Sequence, residues 1–89
     1  MDNHTSHPEI IKRLKRASGH LTSIISMLEG ERTCLEIAQQ LQAVEKAITN
    51  AKKTLVHDHI DHCLAHAVKK GPLHAADSVR EFQEITKYL

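Results

Sequence analysis

In the first third of the chain the apolar positions are Ile11, Leu14, Leu21, Ile25 and Leu28, with Ser18 at the missing step. Steps of three and four alternate, which is the seam of a helix that packs lengthwise against another. Pro8 suits the first turn of this helix and Gly30 suits its C-cap. Thr33 followed by Glu36 is a capping box, so a second helix is predicted to start at Thr33. Ile37, Leu41, Val44, Ile48, Ala51 and Leu55 continue the same spacing there, and neither Gly nor Pro interrupts Cys34 to His66. One long helix follows, closed by Lys69-Lys70-Gly71-Pro72. A third, shorter helix is predicted over about 76 to 88, with Val79, Phe82 and Ile85 as its apolar face and Ser78 with Glu81 as a second capping box.

The fold class this pattern predicts is all-α: a helical hairpin plus a short third helix. One apolar stripe per helix is too little to close a core. Pairing two hairpins gives an antiparallel four-helix bundle, with the third helices free to cap it or mediate further assembly. Eighty-nine residues make one domain, 1–89, with residues 1–7 as a polar, mobile arm. A chain of this size buries a modest share of its surface alone, which favours partners. One Phe, one Tyr and no Trp leave the core to Leu, Ile, Val and Ala. No apolar run approaches the roughly 20 residues that span a bilayer, and the N-terminus lacks an apolar signal segment. The expected setting is the cytoplasm, without membrane contact. No nucleotide loop or nucleophile elbow is present, so neither an enzyme nor a small-molecule substrate is expected.

Both cysteines lie on the long helix, and His59 precedes Cys63 by one turn. Imidazole and thiolate at i and i+4 share a face, a spacing that can grip a soft or borderline metal. Cys34 takes the first helical position, where free N–H groups and the helix dipole suit an anionic sulfur. Twenty-five residues separate it from His59, roughly 37 Å of helix at about 1.5 Å per residue. If the three form one site, an antiparallel second copy must bring its own Cys34. Eight histidines are many for this length. His62 and His66 form another i, i+4 pair, mostly supporting or exposed groups, and His4 and His7 sit on the arm where they could complete a coordination sphere. His57 and His74 carry no signal, and His20 beside Gly19 is expected to pack near the hairpin. The net charge of +1 hides a cluster, Lys12, Arg13, Lys15 and Arg16. Repeated by symmetry with Lys52 and Lys53, it makes a basic surface suited to phosphates, although no known DNA-binding motif is visible.

RLKRASGHL at 13–21, CLEIAQQLQAV from Cys34 and HDHIDHC at 57–63 resemble the CsoR/RcnR family of bacterial metal- and formaldehyde-sensing repressors, over nearly the whole chain. The resemblance implies an all-helical homotetramer, a dimer of antiparallel four-helix dimers, that binds operator DNA and releases it when an effector binds between subunits. Cys34 matches the cysteine given by one subunit, and His59 with Cys63 the pair given by the other. Arg13, Lys15 and Lys53 match basic positions implicated in DNA binding, and Arg16 joins them on the same helix. Copper sensors of the family carry this Cys-His-Cys set, with a tyrosine before the first cysteine and a glutamate behind the ligands in the last helix. Here Thr33 replaces the tyrosine, and Glu81 is the counterpart of the glutamate if the loop at 71–75 holds a small insertion; His62 is a further supporting group. Nickel and cobalt sensors add an N-terminal histidine, which His4 or His7 can supply. A nitrogen and sulfur site with four or more ligands suits Ni(II) or Co(II), so these are the expected effectors, with Cu(I) the alternative. Cys63 and His59 argue against formaldehyde and persulfide sensing, but Cys34 alone is a plausible nucleophile, so a formaldehyde or thiol sensor stands as a further alternative after copper. A metal-storage or chaperone protein that never touches DNA is the rival from another class.

Overall fold

A computed structural model describes residues 6–70 and 72–89, without the side chains of 66, 67, 69, 70 and 72–75. The described chain is all-α: α1 is His7–Glu29, α2 is Cys34–Lys70 and α3 is Pro72–Ile85, followed by a 3-10 turn at Thr86–Tyr88. None of the described helices is long and apolar enough to cross a membrane. The chain divides into two compact units, Pro8–Ala51 on one side and Lys52–Leu89 with Ser6 and His7 on the other.

In the first unit α1 turns back into α2 through a tight helix end. Arg32 donates its backbone N–H to the Met27 carbonyl at 3.1 Å, Glu31 donates to Leu28 at 3.4 Å, and Gly30 donates to Ser26 at 2.8 Å. These bonds satisfy carbonyls that the helix itself leaves open. The left-handed residue of this motif is Glu31, at φ 59°, not Gly30, which stands one place too early. A Cβ at Gly30 would lie 3.2 Å from the Ser26 carbonyl oxygen, a tight contact that the turn would have to relieve by a few tenths of an ångström. The α2 capping box is half formed. Thr33 Oγ1 accepts the Glu36 N–H at 3.2 Å, but the Glu36 carboxylate pairs with the Arg32 guanidinium instead of reaching back to Thr33.

The core of this unit departs from the predicted seam on α1 and follows alternate steps of it on α2. Ile10, Ala17 and Ile24 are buried on α1, and Ile37, Val44 and Ala51 on α2, a repeat of seven on each helix. Ile24, Ile37 and Val44 cluster with Met27 against them. Ile11, Leu14, Leu21, Ile25 and Leu28 of α1 remain exposed, as do Leu41 and Ile48 of α2. Each helix carries a wider apolar band than one neighbour can cover, and the chain alone uses one half of it.

In the second unit Val56 and Cys63 of α2 and Ser78 of α3 are buried. α3 starts at Pro72, well before position 76, because proline presets the first helical turn. Ser78 is therefore inside the helix and caps nothing, and Glu81 is freed from the second capping box. The regular helix also stops sooner than 88. The Thr86 hydroxyl donates to the Gln83 carbonyl at 2.8 Å, and the Leu89 N–H to Thr86 at 3.3 Å, closing the 3-10 turn. At the N-terminus the Ser6 hydroxyl donates to Asp58 Oδ2 at 2.6 Å, and His7 is the first residue of α1. These two positions of the expected arm are thus ordered. His4 and the side chains of His66 and His74 lie outside the described residues.

Candidate metal centre

His59 and Cys63 fall on one face of α2 because they are one turn apart, and α3 packs so that Glu81 meets them from the other side. The Cys63 sulfur is 3.6 Å from Glu81 Oε2, within reach of an S–H to carboxylate hydrogen bond. His59 Nε2 lies 3.7 Å from the same oxygen. Donor atoms of all three residues fall within 4.8 Å of one another. Ligands held at 2.0–2.3 Å around one ion are about 3.5–4 Å apart, so the three fit a single ion with only small side-chain rotations. Cys63 is buried and His59 half-buried, while Glu81 is exposed. A buried sulfur between an imidazole and a carboxylate is a donor set for a soft or borderline cation. His59 Nε2 and the Cys63 sulfur face the same carboxylate oxygen, so Glu81 can either ligate beside them or hold the imidazole in place.

Among the predicted ligands, His59 and Cys63 come together. Cys34 is exposed at the first residue of α2, in the other unit. α2 runs as one helix from Cys34 to Lys70. His7 is exposed and outside the gathered donors. His62 is half-buried and lines the same cleft of about 640 Å³, with Asp77, Arg80, Glu84 and Tyr88. Glu81 was legible in the sequence only as a supporting group. Its approach to both ligands depends on the register of α3, which an earlier helix start resets.

Of the basic candidates, Arg13 is half-buried and 3.5 Å from Glu9, an i, i+4 pair on α1. Lys15, Arg16 and Lys53 are exposed. Arg13 and Arg16 line a groove with Ala17 and His20 of α1 and with Ala47 and Asn50 of α2. His20 Nε2 is hydrogen-bonded to Gln40 Oε1 at 2.5 Å. His20 therefore packs on the flank of the hairpin, a placement that depends on which face α1 turns to α2.

A helical hairpin with a basic first helix, and a nitrogen, sulfur and carboxylate cluster where the second helix meets the third, is the architecture of a metal-responsive regulator. The chain belongs to the metal-sensitive transcriptional repressor family, whose model matches residues 6–88. It is 42% identical over 72 residues to the copper-sensing transcriptional repressor CsoR of Bacillus subtilis, covering 78% of this chain and 71% of that one. It is 39% identical over 66 residues to the copper-sensing repressor CsoR of Mycobacterium ulcerans, covering 74% of this chain and 56% of that one. The nickel-responsive transcriptional regulator InrS shares the fold, with a TM-score of 0.84 over 100% of this chain and 99% of that one at 24% identity. The protein is accordingly a metal-sensing regulator of transcription and not an enzyme.

Proposed function

We propose that the metal-free protein holds operator DNA in the cytoplasm as a tetramer of antiparallel dimers, and that Cu(I) binding releases it. The observation that carries this reading is the junction of His59, Cys63 and Glu81 at one end of an unbroken helix whose other end holds Cys34. Two antiparallel copies place the Cys34 of each beside the His59 and Cys63 of the other, giving two thiolates and one imidazole. That set suits trigonal Cu(I), and the carboxylate behind His59 suits a supporting role. The copper-sensing relatives at 42% and 39% identity point the same way. Exposed Ile11, Leu14, Leu21, Ile25 and Leu28 with Leu41 and Ile48 supply the apolar face such pairing needs.

In this reading Arg13, Lys15, Arg16 and Lys53 contact the DNA backbone in the metal-free form. Tenfold release needs about 1.4 kcal/mol of coupling between the two sites, that is, a metal bound about tenfold more tightly by the DNA-free form than by the DNA-bound one. Complementation tests the shared site. Cys34→Ala and Cys63→Ala variants each lose tight binding, whereas the two mixed and re-annealed recover one intact site in each mixed dimer, about half of the dimers. Failure of the mixture to recover binding would remove the intersubunit arrangement.

A second reading is a Ni(II) or Co(II) sensor in which His7 or His4 adds a ligand. It is favoured by the Ser6–Asp58 hydrogen bond, which anchors the N-terminus next to a residue that adjoins His59. Titration of the reduced protein with Cu(I), Ni(II) and Co(II) separates the two. Only the effector weakens operator binding by anisotropy at stoichiometric metal, and a His7→Ala change affects only the nickel or cobalt site. A storage or chaperone role predicts no operator binding in either state.

A further inference from the structure

The groove along the Pro8–Ala51 hairpin has an unusual lining. Ala17 and Ala47 line it, and their short side chains leave room beside the longer ones. Its walls are Arg13, Arg16 and His20 from α1 and Asn50 from α2, and no acidic side chain lines it. The cleft at the metal cluster, by contrast, has three acidic residues in its wall, Asp77, Glu81 and Glu84. The groove volume is about 560 Å³, far beyond the ~30 Å³ share of one water and ample for a phosphodiester with its sugar. Arg16 has no acidic partner among the described residues, and Arg13 has Glu9 beside it. The Gln40 contact fixes the ring of His20 at one end of the stripe.

We infer that this groove seats a backbone phosphate of duplex DNA, and that His20 and Asn50 contact it together with Arg13 and Arg16, with Gln40 positioning His20. The inference rests on the repressor reading and adds to it two residues that carry no fixed charge. An anion set between two guanidiniums gains further from the Asn50 amide, because hydrogen bonds to a charged group are stronger than neutral ones; His20, whose Nε2 donates to Gln40 Oε1, donates to the phosphate through Nδ1 when the ring carries both protons. Such contacts position the protein on the duplex without reading bases. Asn50 and His20 should therefore matter equally on operator and on scrambled DNA.

The test is fluorescence anisotropy of the metal-free, full-length protein with an operator duplex and a scrambled duplex of the same length, across a salt series. Asn50→Ala and His20→Ala are expected to weaken both duplexes by about tenfold, with the Asn50→Ala salt slope unchanged because no charge is lost. Arg16→Ala should instead flatten the slope, by about 0.9 for each phosphate contact removed. Asn50→Asp, nearly isosteric at an exposed site, should cost more than Asn50→Ala by setting a carboxylate against the phosphate. Far-UV circular dichroism and metal affinity should match wild type in the alanine variants. Wild-type affinity in Asn50→Ala, Asn50→Asp and His20→Ala, with Arg16→Ala impaired, overturns the inference and leaves the repressor reading intact. No binding of either duplex by the wild-type protein overturns the repressor reading itself.

Discussion

Ile25→Lys tests whether the exposed apolar stripe is an interface between copies. Ile25 is 57% exposed in the single chain, so the hairpin itself loses little when it is replaced. Full burial of an isoleucine side chain is worth about 1.5–3 kcal/mol, and rather more than half of that remains to be gained on pairing. Two-fold symmetry places the site in the interface twice, so the lost burial is about 2–3 kcal/mol per dimer. Two ammonium groups brought to the same seam add about as much again, even with their stems extended toward water. The sum, about 5 kcal/mol, is more than three orders of magnitude in the dimer dissociation constant. Sedimentation velocity over a concentration series should show wild type assembled and Ile25→Lys monomeric at micromolar protein. Metal titration should show loss of tight binding in parallel, because no second copy delivers Cys34. An assembly state and metal affinity equal to wild type would refute both the interface and the shared site.

Other predictions concern single contacts. Glu81→Gln keeps the shape of the side chain but removes the charge facing His59 and Cys63, and should lower metal affinity by about 10–100-fold in a competition titration. Glu31→Gly relieves a left-handed residue that costs about 1–2 kcal/mol, less the extra chain entropy of glycine. Thermal unfolding should show a net gain of about 0.5–1 kcal/mol, and a lower melting temperature would contradict the turn geometry. Thr33→Ala removes the oxygen that accepts the Glu36 N–H and should cost about 1 kcal/mol in the same assay.

Helix number, the unbroken second helix and the His59–Cys63 pair were legible because they rest on local rules: spacing, caps and the absence of breakers. The inward face of α2, with Ile37, Val44 and Ala51, was legible too, but the face that α1 turns inward was not. Ile10, Ala17 and Ile24 lie beside the predicted seam of α1, and both rows satisfy a heptad. Sequence spacing finds an apolar band and its period, but which half meets the neighbouring helix depends on the turn at Gly30 and Glu31. Glycine at position 30 drew the left-handed assignment by composition, and hydrogen bonding assigns it to Glu31. The Ser78–Glu81 capping box was a chance match inside a helix that proline starts earlier.

The sequence by itself determined an all-helical chain whose two cysteines are held apart by a continuous rod, since rise per residue leaves no alternative. It also determined that imidazole and thiolate share a face one turn apart. Only the tertiary structure decided that Glu81 closes on that pair, that His20 and Asn50 flank the same groove as Arg13 and Arg16, and which apolar rows stay uncovered. These depend on the register and rotation of one helix against another. Many side chains settle such choices together through packing, and no local stretch encodes them.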